Sequence, residues 1–296
     1  MTTALRGRHG AAAWLFPAPA LLGLVVWMYA PMVATGVLSF LEWDLTSPTR
    51  SFAGAGNYVR LVTQPEFANA VGHTLLYVLA MLPFATVVPL GLAILLWKRP
   101  GRASDVYRAL LFLPVMLAPV ATAISWRFLL NPLQGLVNTL LGGLGLPQPN
   151  WLGDPGTALP VIVLITAAKV AALNMLLFGS ALTALDRSCL EAAHVDGATE
   201  WQTTRHIVLP QLLRTTVLLT LLCVVLAGQW VFTNVAVLTQ GGPDGATDNI
   251  YYRLYTYGFT FFDIGTASAA GVVIVLVLGL VALVGRKRRA RASQHL

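Results

Sequence analysis

The chain has 296 residues, of which 56% are hydrophobic and only 10% charged, with a formal net charge of +7 and a mean hydropathy of +0.71. Soluble domains carry roughly 25% charged residues, so this composition cannot cover a water-facing surface and excludes an ordinary globular protein of the cytosol or the secreted fraction. It predicts an all-α integral membrane protein.

A span needs about 20 mostly apolar residues to cross a hydrocarbon core of ~30 Å. Six stretches meet that need, near Ala12–Phe40, Ala70–Trp97, Ala109–Leu130, Ala158–Leu185, Thr215–Leu238 and Ala267–Val284. The first follows a short N-tail, residues 1–11, carrying Arg6 and Arg8. Its Ala18-Pro19-Ala20 lies too early for a signal-peptidase site and apolar sequence runs far past it, so an uncleaved anchor is expected. Prolines at 17, 19, 31, 83, 89, 114 and 119 fall within the apolar stretches. Each removes a backbone donor, so kinked helices with neighbours satisfying the freed carbonyls are expected.

Polar residues inside spans are costly and usually face a cavity or the bundle interior. Asn174 in the fourth span and Gln229, Trp230, Thr233 and Asn234 in the fifth are therefore candidates for a solute path. Gln229 and Thr233 share one helix face, as do Trp230 and Asn234. An indole beside amides suits a sugar, with its apolar ring face and hydroxyl rim, although interhelical hydrogen bonding explains the same residues. Arg127 and Lys169 read as snorkelling or structural cations, or as counter-ions should the solute be a phosphate ester. After the fifth span, "TQGGPDG" at 239–245 is an external turn. The sixth span opens on small residues, "GTASAAG" at 265–271, which permit close helix contact, a packing signal that also suits an interface with a second membrane subunit. The chain closes on a basic tail, 286–296.

Lys and Arg collect in cytoplasmic loops. Most of the 19 basic residues lie in the N-tail, the 98–108 loop, the 186–214 loop and the C-tail, which alternate around six spans. Both termini, and the segment between the fourth and fifth spans, are thus expected in the cytoplasm. That segment contains "EAAHVDGATEWQTTRHIVLP" at 191–210. Ser188 with Glu191 and Thr199 with Gln202 each fit the capping-box spacing, Gly197 offers a break between the two helices, and Pro210 opposes continuation past Leu209. A cytoplasmic helix–turn–helix elbow over 186–210 is expected, its first helix low in bulk at Ala192, Ala193 and Gly197.

The string Glu191-Ala192-Ala193-x-x-Asp196-Gly197-Ala198, followed by Ile207-x-Leu209-Pro210, resembles the EAA motif of permease subunits of binding-protein-dependent ATP-binding-cassette (ABC) importers. "GNYVRLVTQPEF" (56–67), "RALLFLPVMLAPVATAISWRFLLNP" (108–132), "GLVNTLLGGLGL" (135–146) and "LTQGGP" (238–243) extend the resemblance over most of the chain, towards the sugar and glycerol-phosphate branch and its first-permease type. The resemblance implies a type I importer core in the last five helices plus one added N-terminal helix, 12–285 forming the permease domain. It implies that Glu191, Ala192, Ala193, Asp196, Gly197 and Ala198 couple to an ATPase subunit. It also implies a second permease, two ATPase subunits that bind ATP and Mg, and an external solute-binding protein. Asp186 departs from the family, which commonly has Pro there, as do Ala168 for Trp and Thr233 for Asp.

No G-x-x-x-x-G-K-[ST] phosphate loop occurs, so no ATP cradle of that kind is expected in this chain and no cofactor of its own. The five histidines form no ligand spacing with carboxylates, and no G-x-S-x-G elbow occurs. No catalytic or metal residues are therefore expected. The alternative reading is a self-contained secondary carrier or channel for a small polar solute.

Overall fold

The computed structural model describes residues 16–46 and 49–292, with side chains up to Leu283. The N-tail, the start of the first expected span and the end of the C-tail lie outside the described residues. In chain order the elements are α1 Ala18–Leu38, β1 Leu41–Glu42, β2 Ser51–Phe52, α2 Gly56–Thr63, α3 Pro65–Lys98 and α4 Arg102–Met116. They continue as α5 Pro119–Leu129, α6 Leu136–Gly143, α7 Pro155–Thr183, α8 Arg187–Val195, α9 Glu200–Thr239, α10 Ile250–Tyr255 and α11 Ile264–Ala292.

Among the described residues, five helices are long and apolar enough to span a membrane: α1, α3, α7, α9 and the Ile264–Leu283 part of α11. A sixth span exists only if α4 and α5 count together, and they meet at 95°. The span expected over Ala109–Leu130, with kinks at its prolines, is therefore broken outright. The cause is local: Ala118 precedes Pro119 and is pushed out of the helical region, so Leu117 and Ala118 are both extended, with ψ of 139° and 129°.

At Pro31 and Pro210 the helix continues past the proline. α9 runs through Pro210 without interruption, so the second helix expected in the elbow is the beginning of the fifth span. Just ahead of the proline, Thr204–Val208 forms a π-turn in which the Leu209 amide donates to the Thr204 carbonyl. The widened turn draws the preceding carbonyls away from the pyrrolidine ring. The same arrangement precedes Pro31, where Val25–Tyr29 is a π-turn closed by the Ala30 amide on the Val25 carbonyl.

The chain forms two compact units: one holds the residues up to Gln64 with Leu254–Leu280, the other Pro65–Arg253 with the residues from Val281 on. In the first unit, Asn57 is fully buried and donates to the Ser39 carbonyl at 2.9 Å and the Leu41 carbonyl at 2.8 Å, pinning the turn that leads into β1. A Cβ on Gly265 would lie 2.3 Å from the Leu41 oxygen, so the start of α11 requires glycine there. Gly265–Ala270 is buried throughout. The small residues that open α11 thus serve close packing within this chain.

In the second unit α7 is the central helix, packed by α3, α4 and α9. Asp154 caps its start by accepting from the Gly156 amide, and Pro155 occupies the first turn, where no amide is needed. One core cluster joins Tyr77, Met81, Ile162, Val170, Cys223 and Val231; a second, nearer the elbow, joins Leu96, Met175, Phe178, Leu182, Val208 and Leu212. Small residues at these contacts, including Ala85, Ala167 and Ala227, let the helices approach closely.

Asn174 sits between the clusters, 1% exposed, and its Nδ2 donates to the Ala85 carbonyl at 2.7 Å. The residue four positions after Ala85 is Pro89, which has no amide to offer that carbonyl. A side chain of α7 therefore repairs the hydrogen-bond ladder of α3. Asn174→Ala should lower stability in detergent by about 1–2 kcal/mol, the cost of a buried unsatisfied carbonyl. In a Pro89→Ala background, which restores the backbone donor, thermal melts should show that loss at least halved.

Candidate functional site

Two places carry the polar residues singled out in the sequence: the elbow between α7 and α9, and a cavity between α4, α5, α7 and α9.

The elbow begins at Asp186, not Ser188. The Asp186 side chain accepts from the Ser188 amide at 2.9 Å and from the Ser188 hydroxyl at 2.8 Å, so Ser188 is a donor to the cap rather than the cap itself. The family's usual proline could not make this contact, and aspartate replaces a rigid start with a hydrogen-bonded one. Hydrogen bonds from the Ser188 hydroxyl and then from its amide hold the Asp186 carboxyl below the usual carboxylate range.

The end of α8 is closed twice over. The Ala198 amide donates to the Ala193 carbonyl at 3.0 Å and the Gly197 amide to the His194 carbonyl at 3.2 Å, with Gly197 at φ +75°. This is a Schellman closure, and a residue with a Cβ is strained at its left-handed position. Thr199 and Gln202 then form the expected capping box that opens α9, Thr199 Oγ1 accepting from the Gln202 amide at 3.3 Å while Gln202 Oε1 accepts from the Thr199 amide at 2.8 Å. Glu200 is bound by Lys98 at 3.3 Å, tying the start of α9 to the end of α3.

Glu191, Ala192, Asp196 and Gly197 lie exposed on this elbow, Ala198 is half-buried, and Ala193 is buried at 8%. Five of the six residues of the string are thus accessible to a partner, and Ala193 is the one turned into the protein. Val195 and Trp201, which sequence reasoning passed over, are strongly exposed beside them at 86% and 67%.

The cavity has a volume of about 810 Å³. Gln229, Trp230, Thr233 and Asn234 of α9 line it, with Trp126 of α5 and Lys169 of α7 facing the same space. Asn234 also binds Thr166 of α7 across the helix pair, its Nδ2 donating to Oγ1 at 2.8 Å, so it joins structural bonding to cavity lining. Trp126 carries no signal in the sequence: it lies on the far arm of the broken span, which only the 95° bend brings to the cavity.

Beyond α9 the turn over 239–249 folds back on itself. Thr247 donates to the Gly242 carbonyl at 2.7 Å, and Tyr77 of α3 donates to the Thr247 carbonyl at 3.1 Å. Asp248 is buried and paired with Arg253. Burial pushes the Asp248 carboxyl up, against the opposing pull of the Arg253 guanidinium. Gly228 takes the Tyr251 ring, where a Cβ would come within 2.6 Å.

Residues 55–290 match the family described as the binding-protein-dependent transport system inner membrane component. The chain belongs to this family. It is therefore a multi-pass inner-membrane permease component of a transport system that depends on a binding protein. It is 32% identical to the probable ABC transporter permease protein YurN of Bacillus subtilis, over 90% of this chain and 92% of that one. It is equally 32% identical to the trehalose/maltose transport system permease protein MalF of Thermococcus litoralis, over 98% of both chains. Its fold matches a chain in the crystal structure of a bacterial ABC transporter involved in import of the acidic polysaccharide alginate, with a TM-score of 0.84 at 23% identity over 95% of this chain and 96% of that one.

The permease elbow carries a pH dependence set by its cap. Because the Asp186 carboxyl is held low, its contact with Ser188 is complete above the ordinary carboxylate range and is lost as pH falls through the lowered value. Hydrogen exchange over Asp186–Val195 should stay slow down to that point and rise on further acidification. Asp186→Ala should abolish both the protection and the acid step.

Proposed function

We propose that this permease is one half of the translocation path of an ATP-driven sugar importer, coupled through its elbow to a separate ATPase subunit. The single observation that carries the reading is the closed elbow, which presents Glu191, Ala192, Asp196 and Gly197 on a rigid turn between two membrane-spanning helices. A surface of small residues lets a partner reach the backbone, and the acidic groups fix its orientation.

In this reading the elbow and both termini face the cytoplasm, as the distribution of Lys and Arg supports. Two ATPase subunits bind ATP and Mg and supply the energy. A second permease completes the path, and an external solute-binding protein delivers cargo towards the 239–249 turn. Closing of the ATPase pair pulls the elbows together and rocks the spans between inward- and outward-open arrangements. A sugar fits the cavity, where Trp126 and Trp230 offer apolar faces and Gln229, Thr233 and Asn234 offer hydrogen bonds. The trehalose/maltose relative, alike over nearly the full length of both chains, supports that class.

Gly197→Leu tests the coupling. The site has open space around it, so the substitution acts through strain at φ +75° and through added bulk on the docking face. Membrane insertion should remain normal while ATPase activity stimulated by the binding protein falls about tenfold, in line with roughly 1–2 kcal/mol of left-handed strain. Undiminished uptake would remove the elbow from the coupling route.

A further inference from the structure

Lys169 stands at the midpoint of α7. A charged group at that depth in a membrane is expensive and calls for a role. None of the ion pairs among the described residues involves it. Its Nζ makes one hydrogen bond within the protein, donating to the Leu117 carbonyl at 3.3 Å.

Leu117 is the first residue past α4, at the corner where the span turns by 95°. The last carbonyls of a helix lack intrahelical partners and carry its negative end, so a cation is the fitting donor. Lys169, Leu117, Pro119 and Trp126 all line the cavity, which places the corner in its wall. The second arm is tied separately, through Arg127 on α5, whose Nη1 donates to the Val237 carbonyl of α9 at 3.5 Å. The first arm is also tied near its start, through Arg108 on α4, whose Nη2 donates to the Leu96 carbonyl of α3 at 3.4 Å. Only the Lys169 contact sits at the corner.

We propose that Lys169 is a positioning residue that latches the corner of the broken span to α7 between transport strokes, and that the stroke opens this contact. The ammonium has further donors, and the adjoining cavity is where oxygen atoms of water or of a hydroxylated cargo can take them over once Leu117 moves away. A lysine holds this role better than a neutral donor, because a charge-assisted bond to a carbonyl survives beside a water-containing space. The inference rests on the importer reading above, since it assigns the latch a place in an ATP-driven cycle.

The test uses the whole transporter assembly in lipid nanodiscs, with Cys189→Ser and spin labels on Phe128→Cys in α5 and Leu176→Cys in α7, both exposed and outside the cavity lining. Double electron–electron resonance should give a narrow Phe128–Leu176 distance distribution without nucleotide, which shifts when the assembly is trapped with ATP and vanadate. Lys169→Met should broaden the nucleotide-free distribution and raise ATPase activity in the absence of binding protein about fivefold, as expected for loss of one charge-assisted hydrogen bond. Lys169→Arg should keep both close to wild type. A Lys169→Met distribution as narrow as wild type, with ATPase within about twofold, would overturn the latch, as would a wild-type distance that vanadate trapping leaves unmoved. Failure of the importer reading registers differently, as a wild-type assembly without ATPase activity, while the nucleotide-free distances still report on the latch.

Discussion

Hydrocarbon offers no hydrogen-bond partner, so every backbone group of a spanning segment has to be satisfied by the protein itself. This chain places prolines and breaks in its apolar segments, and the rest of its architecture follows from how the freed groups are served. At Pro89 the orphaned Ala85 carbonyl takes Asn174 from the next helix. At Pro31 and Pro210 the helix widens into a π-turn and continues. At Pro119 it does neither, and the chain turns a right-angled corner whose exposed carbonyl takes Lys169.

These solutions differ in mechanical character. A side chain inserted into a neighbouring ladder, as Asn174 is, locks α7 to α3 through a deeply buried bond. A π-turn keeps the rod continuous but softens one point of it. The corner between α4 and α5 breaks the rod altogether: its two arms pack separately on α7 and α9, and the corner lines the cavity.

Much of this was legible in the sequence. The apolar runs give the spans, and the capping box at Thr199 and Gln202 is read directly from residue spacing. The EAA string marks the elbow before any coordinates are known. The misses share a cause. The bond from Asn174 to the Ala85 carbonyl has no mark in the sequence because the donor missing at Pro89 lies on another helix, and only tertiary packing brings the two together. Ser188 reads as a helix cap because its spacing to Glu191 fits, while Asp186 two residues earlier starts the helix instead by accepting from the Ser188 amide and hydroxyl. Pro210 read as a helix stop because the sequence carries no mark of a π-turn. Trp126 lacked any signal, since its place on the cavity depends on a bend angle.

The continuity of α9 has a mechanical meaning of its own. One uninterrupted helix carries the capping box at its elbow end, Gln229 to Asn234 in the cavity wall, and the start of the 239–249 turn at its other end. Forty residues at 1.5 Å each make a strut about 60 Å long. Such a strut acts as a lever: displacement applied at Thr199 and Glu200 reaches the tryptophan and amide side chains as a swing of the wall, with the π-turn at Thr204–Val208 as its nearest point of give.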